Sequence, residues 1–539
     1  MPQRSNILHG EGEVIAELDF SMGQLLLMQL ATHGTRVAQI NPHTGKEQTF
    51  QHILDTSRKL AIYLQREGLR TNDTIAVCSE NNLEFCIPVC AAFYLGAIVC
   101  PLNPLYSERE LKHALAISKP KFIFISPVAL DTVRKVFKEL HWSPRVLMLT
   151  EHGSSNVSWT SMYRVISNVS DDDANALQAA PVDIANHVTA ILCSSGTTGL
   201  AKGVMLTDKN ITTVIRTHLS SNTIPESAIS LALLPFFHAY SFVLMILSML
   251  RGNCIVVFSR FEEEMFLQYV EKYQIQYLPV VPSLMTFLAK HPLVDKYDLS
   301  SVKAVWSGAA PLSKEIQKAV AKRLNITEVK QGYGLTETTL AVLRSPDDNA
   351  KPGSVGVLVP GTSAKVIPIG EYETDKALGP NCTGELCFKG DLIMKGYYND
   401  EKSTRATIDK DGWLHTGDVG YYDEDGYFYI VDRIKELIKY KGYQVPPAEL
   451  EAILLTYPSI QDAAVIGIPN DKTGELPMAF VVKEANSNVS EKDIIQYVND
   501  RVSNPKRLRG GVRFIDSIPK TPSGKILRRL LRDRLKSKL

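Results

Sequence analysis

The segment Ser194-Ser195-Gly196-Thr197-Thr198-Gly199-Leu200-Ala201-Lys202-Gly203 constrains this chain more than any other. The apolar run Val188–Cys193 precedes it and Val204–Leu206 follows, a pattern that predicts strand, loop, strand. Glycines let a backbone approach a charged ligand closely, and hydroxyls beside exposed N–H groups donate to phosphate oxygens. Lys202 adds a point charge. A nucleotide triphosphate is therefore the expected ligand. The loop is not of the Walker A type, which needs Gly-Lys-Ser/Thr opening a helix, because Gly203 and an apolar run follow Lys202. Taken alone, a plain flexible hairpin fits equally well, and the rest of the chain has to decide.

At 539 residues the chain exceeds the limit of one hydrophobic core, so two or more domains are expected. A net charge of +1 gives no field that would recruit nucleic acid. Among eight cysteines only Cys86/Cys90 and Cys382/Cys387 are close pairs. Neither has zinc-ribbon spacing, so no metal site on cysteine is expected, and reduced intracellular thiols fit best. The N-terminal residues lack the apolar core of a secretory signal. Ser537-Lys538-Leu539 reads as a peroxisomal address, which implies the peroxisomal import receptor as partner and the peroxisome as location. Phe85–Ser107 and Ser227–Leu250 are uncharged, but prolines and polar residues interrupt both. A buried strand running into a core helix accounts for the second without a transmembrane span.

Up to about residue 430, short apolar runs such as Thr74–Cys78, Lys121–Ile125 and Ala304–Trp306 alternate with helical patterns. That texture predicts layered α/β subdomains with a largely parallel sheet. Ser107 and Glu110 form a capping box that opens a helix. After a strand at Gly426–Val431 comes the charged run Asp432-Arg433-Ile434-Lys435-Glu436. The fold class is therefore α/β. A large N-terminal domain spans residues 1–431, and a small mobile α+β domain spans 432–539. In the small domain, helices are expected near Pro447–Leu455 and Glu491–Val502, and strands near Ala463–Ile468 and Met478–Val482.

Five further motifs follow the loop in order. They are Leu234-Pro235-Phe236-Phe237-His238-Ala239-Tyr240, then Gln331-Gly332-Tyr333-Gly334-Leu335-Thr336-Glu337-Thr338-Thr339, then Gly412-Trp413-Leu414-His415-Thr416-Gly417-Asp418. The last two, Ile438–Val445 and Pro519-Lys520-Thr521-Pro522-Ser523-Gly524-Lys525, put lysines on loops. Each is weak alone. In this order and spacing the set resembles the adenylate-forming superfamily of acyl-CoA ligases, aryl-CoA ligases and beetle luciferases, over nearly the whole chain. Glu337-Thr338-Thr339, Ile438–Gln444 and Leu508-Arg509-Gly510-Gly511-Val512 resemble the insect luciferase and luciferase-like fatty acyl-CoA ligase branch in particular.

The resemblance implies two half-reactions. A carboxylate attacks the α-phosphate of ATP to give an acyl-adenylate and pyrophosphate, and the thiol of CoA then displaces AMP. It implies that Ser194, Ser195, Gly196, Thr197, Thr198, Gly199 and Lys202 hold the β- and γ-phosphates. Thr336 contacts the α-phosphate, and Glu337 ligates Mg²⁺, which prefers hard oxygen ligands. Asp418 and Arg433 take the ribose, Tyr333 stacks on adenine, and Gln444 is a further nucleotide-side position. Lys525 neutralises charge in the first half-reaction. Lys439 serves the second, after the small domain turns about Asp432. His238 orients the reacting carboxylate or gates the acyl tunnel. Phe237, Tyr240, Phe242, Ser307, Gly308, Ala309 and Leu340 are the expected pocket walls.

Two positions depart from the family pattern. Ala201 replaces a frequent proline and loosens the loop without removing a ligand. Leu340 stands where beetle luciferases carry a small residue, which favours an acyl chain over a flat luciferin unless Leu340 faces the core. The leading expectation is an ATP-dependent acyl-CoA ligase for a medium- or long-chain fatty acid. The alternatives are a luciferase, a coumarate-type aryl-CoA ligase suggested by Ser307–Leu312, and a degenerate binding protein. The retained Lys525, Glu337 and Asp418 argue against the last.

Overall fold

The computed structural model describes residues 6–12, 19–150, 159–194, 201–219, 224–369, 376–484, 487–521 and 524–536. Among these, three sheets of five, eight and nine strands build the large domain, and a five-stranded sheet builds the small one. The apolar runs read from the sequence form the parallel parts. Thr74–Cys78 lies between Ile98–Leu102 and Phe122–Ile125 in the eight-stranded sheet. Ala304–Ser307 lies between Tyr277–Val280 and Glu328–Gly334 in the nine-stranded one. The three strands Thr74–Cys78, Ile98–Leu102 and Phe122–Ile125 are buried along their whole length, as continuous apolar runs require.

Local chemistry sets the element ends. The Ser107 hydroxyl accepts from the Glu110 amide while the Glu110 carboxylate accepts from the Ser107 amide at 2.9 Å, so the capping box opens helix Glu108–Ser118. The uncharged Ser227–Leu250 segment resolves into strand Ile229–Ala232, a turn at Pro235, and helix Ala239–Arg251. No helix among the described residues is long and apolar enough to cross a membrane.

In the small domain, helices Pro447–Leu455 and Glu491–Asn499 pack on strands Ile460–Asn470, Gly474–Lys483 and Gly511–Phe514. The strand preceding it begins later than its apolar pattern suggested and runs further, over Phe428–Arg433. Pairing decides this: Asp418 lies opposite Arg433 and Val419 opposite Asp432, which holds the first charged residues inside the five-stranded sheet.

Candidate active site

The hairpin at the phosphate loop forms as its pattern requires. Val188–Ser194 pairs antiparallel with Lys202–Thr207, and Lys202 stands opposite Ser194. Ser195, Gly196, Thr197, Thr198 and Gly199 lie outside the described residues. The C-terminal end of the loop is anchored, because His113 Nε2 lies 2.8 Å from the Ala201 carbonyl. The Lys202 ammonium sits 4.6 Å from the centre of the Tyr397 ring, within cation–π range. The Tyr397 hydroxyl in turn donates to Glu337 Oε1 at 3.0 Å.

Strand Glu328–Gly334 delivers the next motif. Gly334 is irreplaceable here, since a Cβ at this point would meet the Leu340 carbonyl oxygen at 1.9 Å. Thr336–Thr338 forms one short turn, with the Thr338 hydroxyl accepting from the Leu335 amide at 2.8 Å. Thr339 then takes φ 65° and ψ −52°, and the Leu340 amide donates to the Thr338 carbonyl at 2.7 Å. This is a γ-turn with a β-branched residue at its centre, a strained form. The Thr339 hydroxyl holds it by donating to the Leu392 carbonyl at 2.7 Å. Strain of this kind persists where surroundings over-determine it, and it marks functional sites. The turn presents Thr336 and Glu337 half-buried at its outer side.

Asp418 is buried beneath three neighbours. The Tyr333 hydroxyl donates to Oδ2 at 2.7 Å. Arg433 Nε lies 3.0 Å from Oδ1, but off hydrogen-bond geometry, so Oδ1 is a buried acceptor left without a hydrogen-bond partner. Burial pushes the carboxyl above the usual range, opposed by the charge of Arg433, the Tyr333 hydroxyl and the charge of Lys525. Lys525 enters the same cleft from the small domain on the loop at Gly524, whose φ is 81°. Burial and the charge of Arg433 lower its affinity for a proton, while Asp418 and Glu337 oppose that shift.

His238 stands at the N-terminus of helix Ala239–Arg251, and its ring lies 4.9 Å from that of Phe237. Burial, then the Lys525 charge, push its pKa down to about 4. The imidazole is therefore neutral near pH 7. The sign follows from linkage: with a folded value below the ordinary 6.5, the native state gives up stability as pH falls from 6.5 to 4. His238→Gln is expected to flatten that part of the stability profile, measured by melting curves between pH 7.5 and 4.5 (about three units of span); an unchanged slope would contradict a neutral buried ring.

The cleft has a volume of about 2340 Å³ and brings together Lys202, Phe237, His238, Ala309, Tyr333, Asp418, Asp432, Arg433 and Lys525. Several expected residues lie elsewhere. Phe242 is fully enclosed in the core of the large domain, because helix Ala239–Arg251 turns that position inward. Leu340 also packs in that core rather than in a pocket wall, which is the core-facing alternative weighed from the sequence. Ser307 is buried with its hydroxyl unpartnered, and Gly308 backs onto the Tyr240 ring. Lys439 and Gln444 face each other in the exposed hairpin Ile438–Tyr440/Tyr443–Val445, away from the cleft.

Three contributors escaped sequence reasoning. Tyr397 and His113 position Glu337 and the loop end, yet neither sits in a recognisable motif; the Gly396-Tyr397-Tyr398-Asn399-Asp400 run was the available signal. The third is a buried charge network at the domain border. Arg528 donates to both oxygens of Glu451, at 2.7 and 2.8 Å. The Arg528 charge also acts on Asp432. Asp432 Oδ2 accepts the Ala448 amide at 2.8 Å, which ties strand Phe428–Arg433 of the large domain's sheet to the first turn of helix Pro447–Leu455.

The comparisons agree with this geometry. The AMP-binding enzyme family matches residues 27–398, and the AMP-binding enzyme C-terminal domain matches 449–525. Luciferin 4-monooxygenase of Photuris pensylvanica is 43% identical over 99% of both chains. Probable 4-coumarate–CoA ligase 1 of Dictyostelium discoideum is 36% identical over 95% of this chain and 94% of that protein. Among solved structures, ATP-bound MatB from Rhodopseudomonas palustris superposes with a TM-score of 0.85 at 25% identity, covering 96% of this chain and 99% of MatB. The apo form of MatB, at the same identity and coverage, gives 0.73. With both family regions matched in order and the cleft built between them, the chain belongs to the AMP-binding family of adenylate-forming enzymes, alongside luciferases and acid–CoA ligases.

Proposed function

We propose that this chain is an ATP-dependent acyl-CoA ligase whose acid is a medium- or long-chain fatty acid. The observation that carries the ligase part is Lys525, which reaches from the small domain into the cleft that holds Asp418, Arg433 and His238. The better superposition on ATP-bound than on apo MatB supports the same reading of the domain arrangement. For the acyl chain, the support is the apolar lining that Phe237, Phe261, Leu284, Phe287 and Leu312 give to the cleft that also holds His238.

The residues divide the work as follows. The unpartnered acceptor on Asp418 takes a ribose hydroxyl, with Arg433 beside it. Tyr333 gives its ring to adenine while its hydroxyl stays on Asp418. Lys202 and the loop Ser195–Gly199 hold the outer phosphates, and Thr336 meets the α-phosphate. Glu337, steadied by Tyr397, would hold Mg²⁺; one carboxylate beside phosphate oxygens suits that ion, which supplies charge neutralisation on the phosphates. An oxygen of the acid's carboxylate bonds to the α-phosphorus as pyrophosphate leaves. The Lys525 ammonium stabilises the charge that gathers there. Neutral His238 orients the carboxyl by hydrogen bonding. In the second step the CoA sulfur bonds to the acyl carbon, AMP leaves, and the thiol proton goes to solvent. Lys439 serves this step once the small domain has turned. Ser537–Leu539, outside the described residues, is read by the peroxisomal import receptor; a reporter fusion that still reaches peroxisomes after its removal would contradict this.

The second reading is a luciferase, favoured by the 43% identity to the Photuris enzyme. In it the same adenylate meets oxygen instead of a thiol. One experiment separates the readings. The enzyme is supplied with ATP, Mg²⁺ and CoA and with octanoate, dodecanoate, oleate, coumarate or luciferin, and products are identified by mass spectrometry. Light is recorded in parallel without CoA. Fatty acyl-CoA without light is the expected result. Coumaroyl-CoA alone would move the substrate to the aryl acids, and strong light with little acyl-CoA would overturn the ligase reading.

A further inference from the structure

We propose that Glu385, Cys387 and His415 form a binding site for a zinc ion, outside the catalytic cleft. The site arises from strand register. Gly384–Gly390 and Leu414–Tyr422 pair antiparallel with Cys387 directly opposite His415, and Glu385 lies two residues along on the same face. Cysteine spacing along the sequence pointed away from any such site, because the third ligand is 28 residues distant and becomes a neighbour only through the pairing.

The distances suit the ion. His415 Nδ1 lies 3.6 Å from Cys387 Sγ and 3.4 Å from Glu385 Oε2, and the three ligand atoms all fall within 4.8 Å of one another. A tetrahedral zinc with bonds of about 2.0–2.3 Å spreads its ligand atoms to roughly 3.3–3.8 Å. Thiolate, imidazole and carboxylate are the donors zinc takes, with water in the fourth position. The other imidazole nitrogen is also provided for: His415 Nε2 lies 3.5 Å from Asp409 Oδ2. A carboxylate behind the ligating histidine fixes its tautomer and raises its basicity.

Charge agrees as well. A nearby cation is Lys365, whose charge acts on both Cys387 and Asp409 and whose ammonium lies 4.8 Å from the centre of the Trp413 ring. Two carboxylates and a thiolate against this one ammonium leave two negative charges, which a dication cancels. The thiol proton of Cys387 and the proton on His415 Nδ1 both leave to solvent as the two atoms ligate. Glu385 Oε1 is already occupied by the Gly417 amide at 2.9 Å, so Oε2 is the oxygen offered to the ion.

The test is zinc binding by the full-length reduced protein, using Zn²⁺ alone. Affinity is measured against a chromophoric chelator and the ion's shell is read by X-ray absorption. One equivalent is expected, with a single sulfur at about 2.3 Å. Cys387→Ser removes the sulfur from the shell and weakens binding about tenfold or more. Asp409→Asn is the finer variant. The Oδ1 that accepts the Asp411 and Trp413 amides survives, and only the partner of His415 is lost. It weakens binding about 10–100-fold while retaining the sulfur. A sulfur-free shell in the wild type, or equal affinity in wild type and Cys387→Ser, overturns the proposal. The wild-type spectrum decides even where a variant folds poorly.

Discussion

Lys525→Ala is expected to slow acyl-adenylate and pyrophosphate formation about a hundred- to a thousandfold, the range for deleting one preorganised electrostatic group. Thiolysis of supplied acyl-AMP by CoA should continue near the wild-type rate. The asymmetry follows from placement: Lys525 lines the cleft with Asp418 and His238 and interacts electrostatically with both and with Glu337, whereas Lys439 is exposed on a separate hairpin. Lys439→Ala should spare adenylation and slow thiolysis. Separate assays of pyrophosphate release and acyl-CoA formation check both. Equal losses in both half-reactions for both variants would remove the division of labour.

A comparable effect on stability is expected from Arg528→Met. Arg528 and Glu451 are 13% and 11% exposed in their side chains and share two hydrogen bonds. Removing one partner of a buried pair costs about 3–5 kcal/mol, because the remaining charge is stranded. Burial already holds Glu451 above its usual carboxyl range, and Arg528 is the main opposing group. Without that cation the folded-state value rises further above the unfolded one. The stabilising protonated form is then complete at low pH and lost as pH rises through the folded value. The deficit of the variant should therefore be smaller at pH 5 than at pH 8, about three units higher. Adding Glu451→Leu should recover part of it. Chemical unfolding of the small domain, followed by hydrogen exchange, measures all three, and a deficit independent of pH would contradict a stranded carboxylate.

The elements most legible in the sequence were those with local causes. Ser107 and Glu110 announce a helix start by themselves, and the apolar runs around Ser194–Gly203 announce a hairpin. The residues that the cleft gathers, among them His238, Tyr333, Asp418, Arg433 and Lys525, belong to motifs that the sequence displays in order. What stayed hidden depends on which way a side chain turns or which strand lies opposite. Phe242 and Leu340 are near motif residues along the chain but point into the core. Tyr397 reaches Glu337 from 60 residues away. The Cys387–His415 pairing exists only once the register is set. Lys439 and Gln444 lie on an exposed hairpin away from the cleft, a placement that no local signal in the sequence announces.

The hydrogen bond from the Ala448 amide to Asp432 joins the small domain's first helix to the strand Phe428–Arg433 of the large domain's sheet. A turn of the small domain that separates Ala448 from Asp432 breaks it. A bond to a charged acceptor contributes about 1.5–3 kcal/mol, which weights the unturned arrangement by about ten- to a hundredfold. In the proposed ligase, the arrangement this bond favours is the one that keeps Lys525 in the cleft, at the start of the cycle. That bias orders the kinetics: acid and ATP should be committed before CoA gains a productive path, and the return of the small domain, rather than bond-making, is the step that a released hinge would hasten.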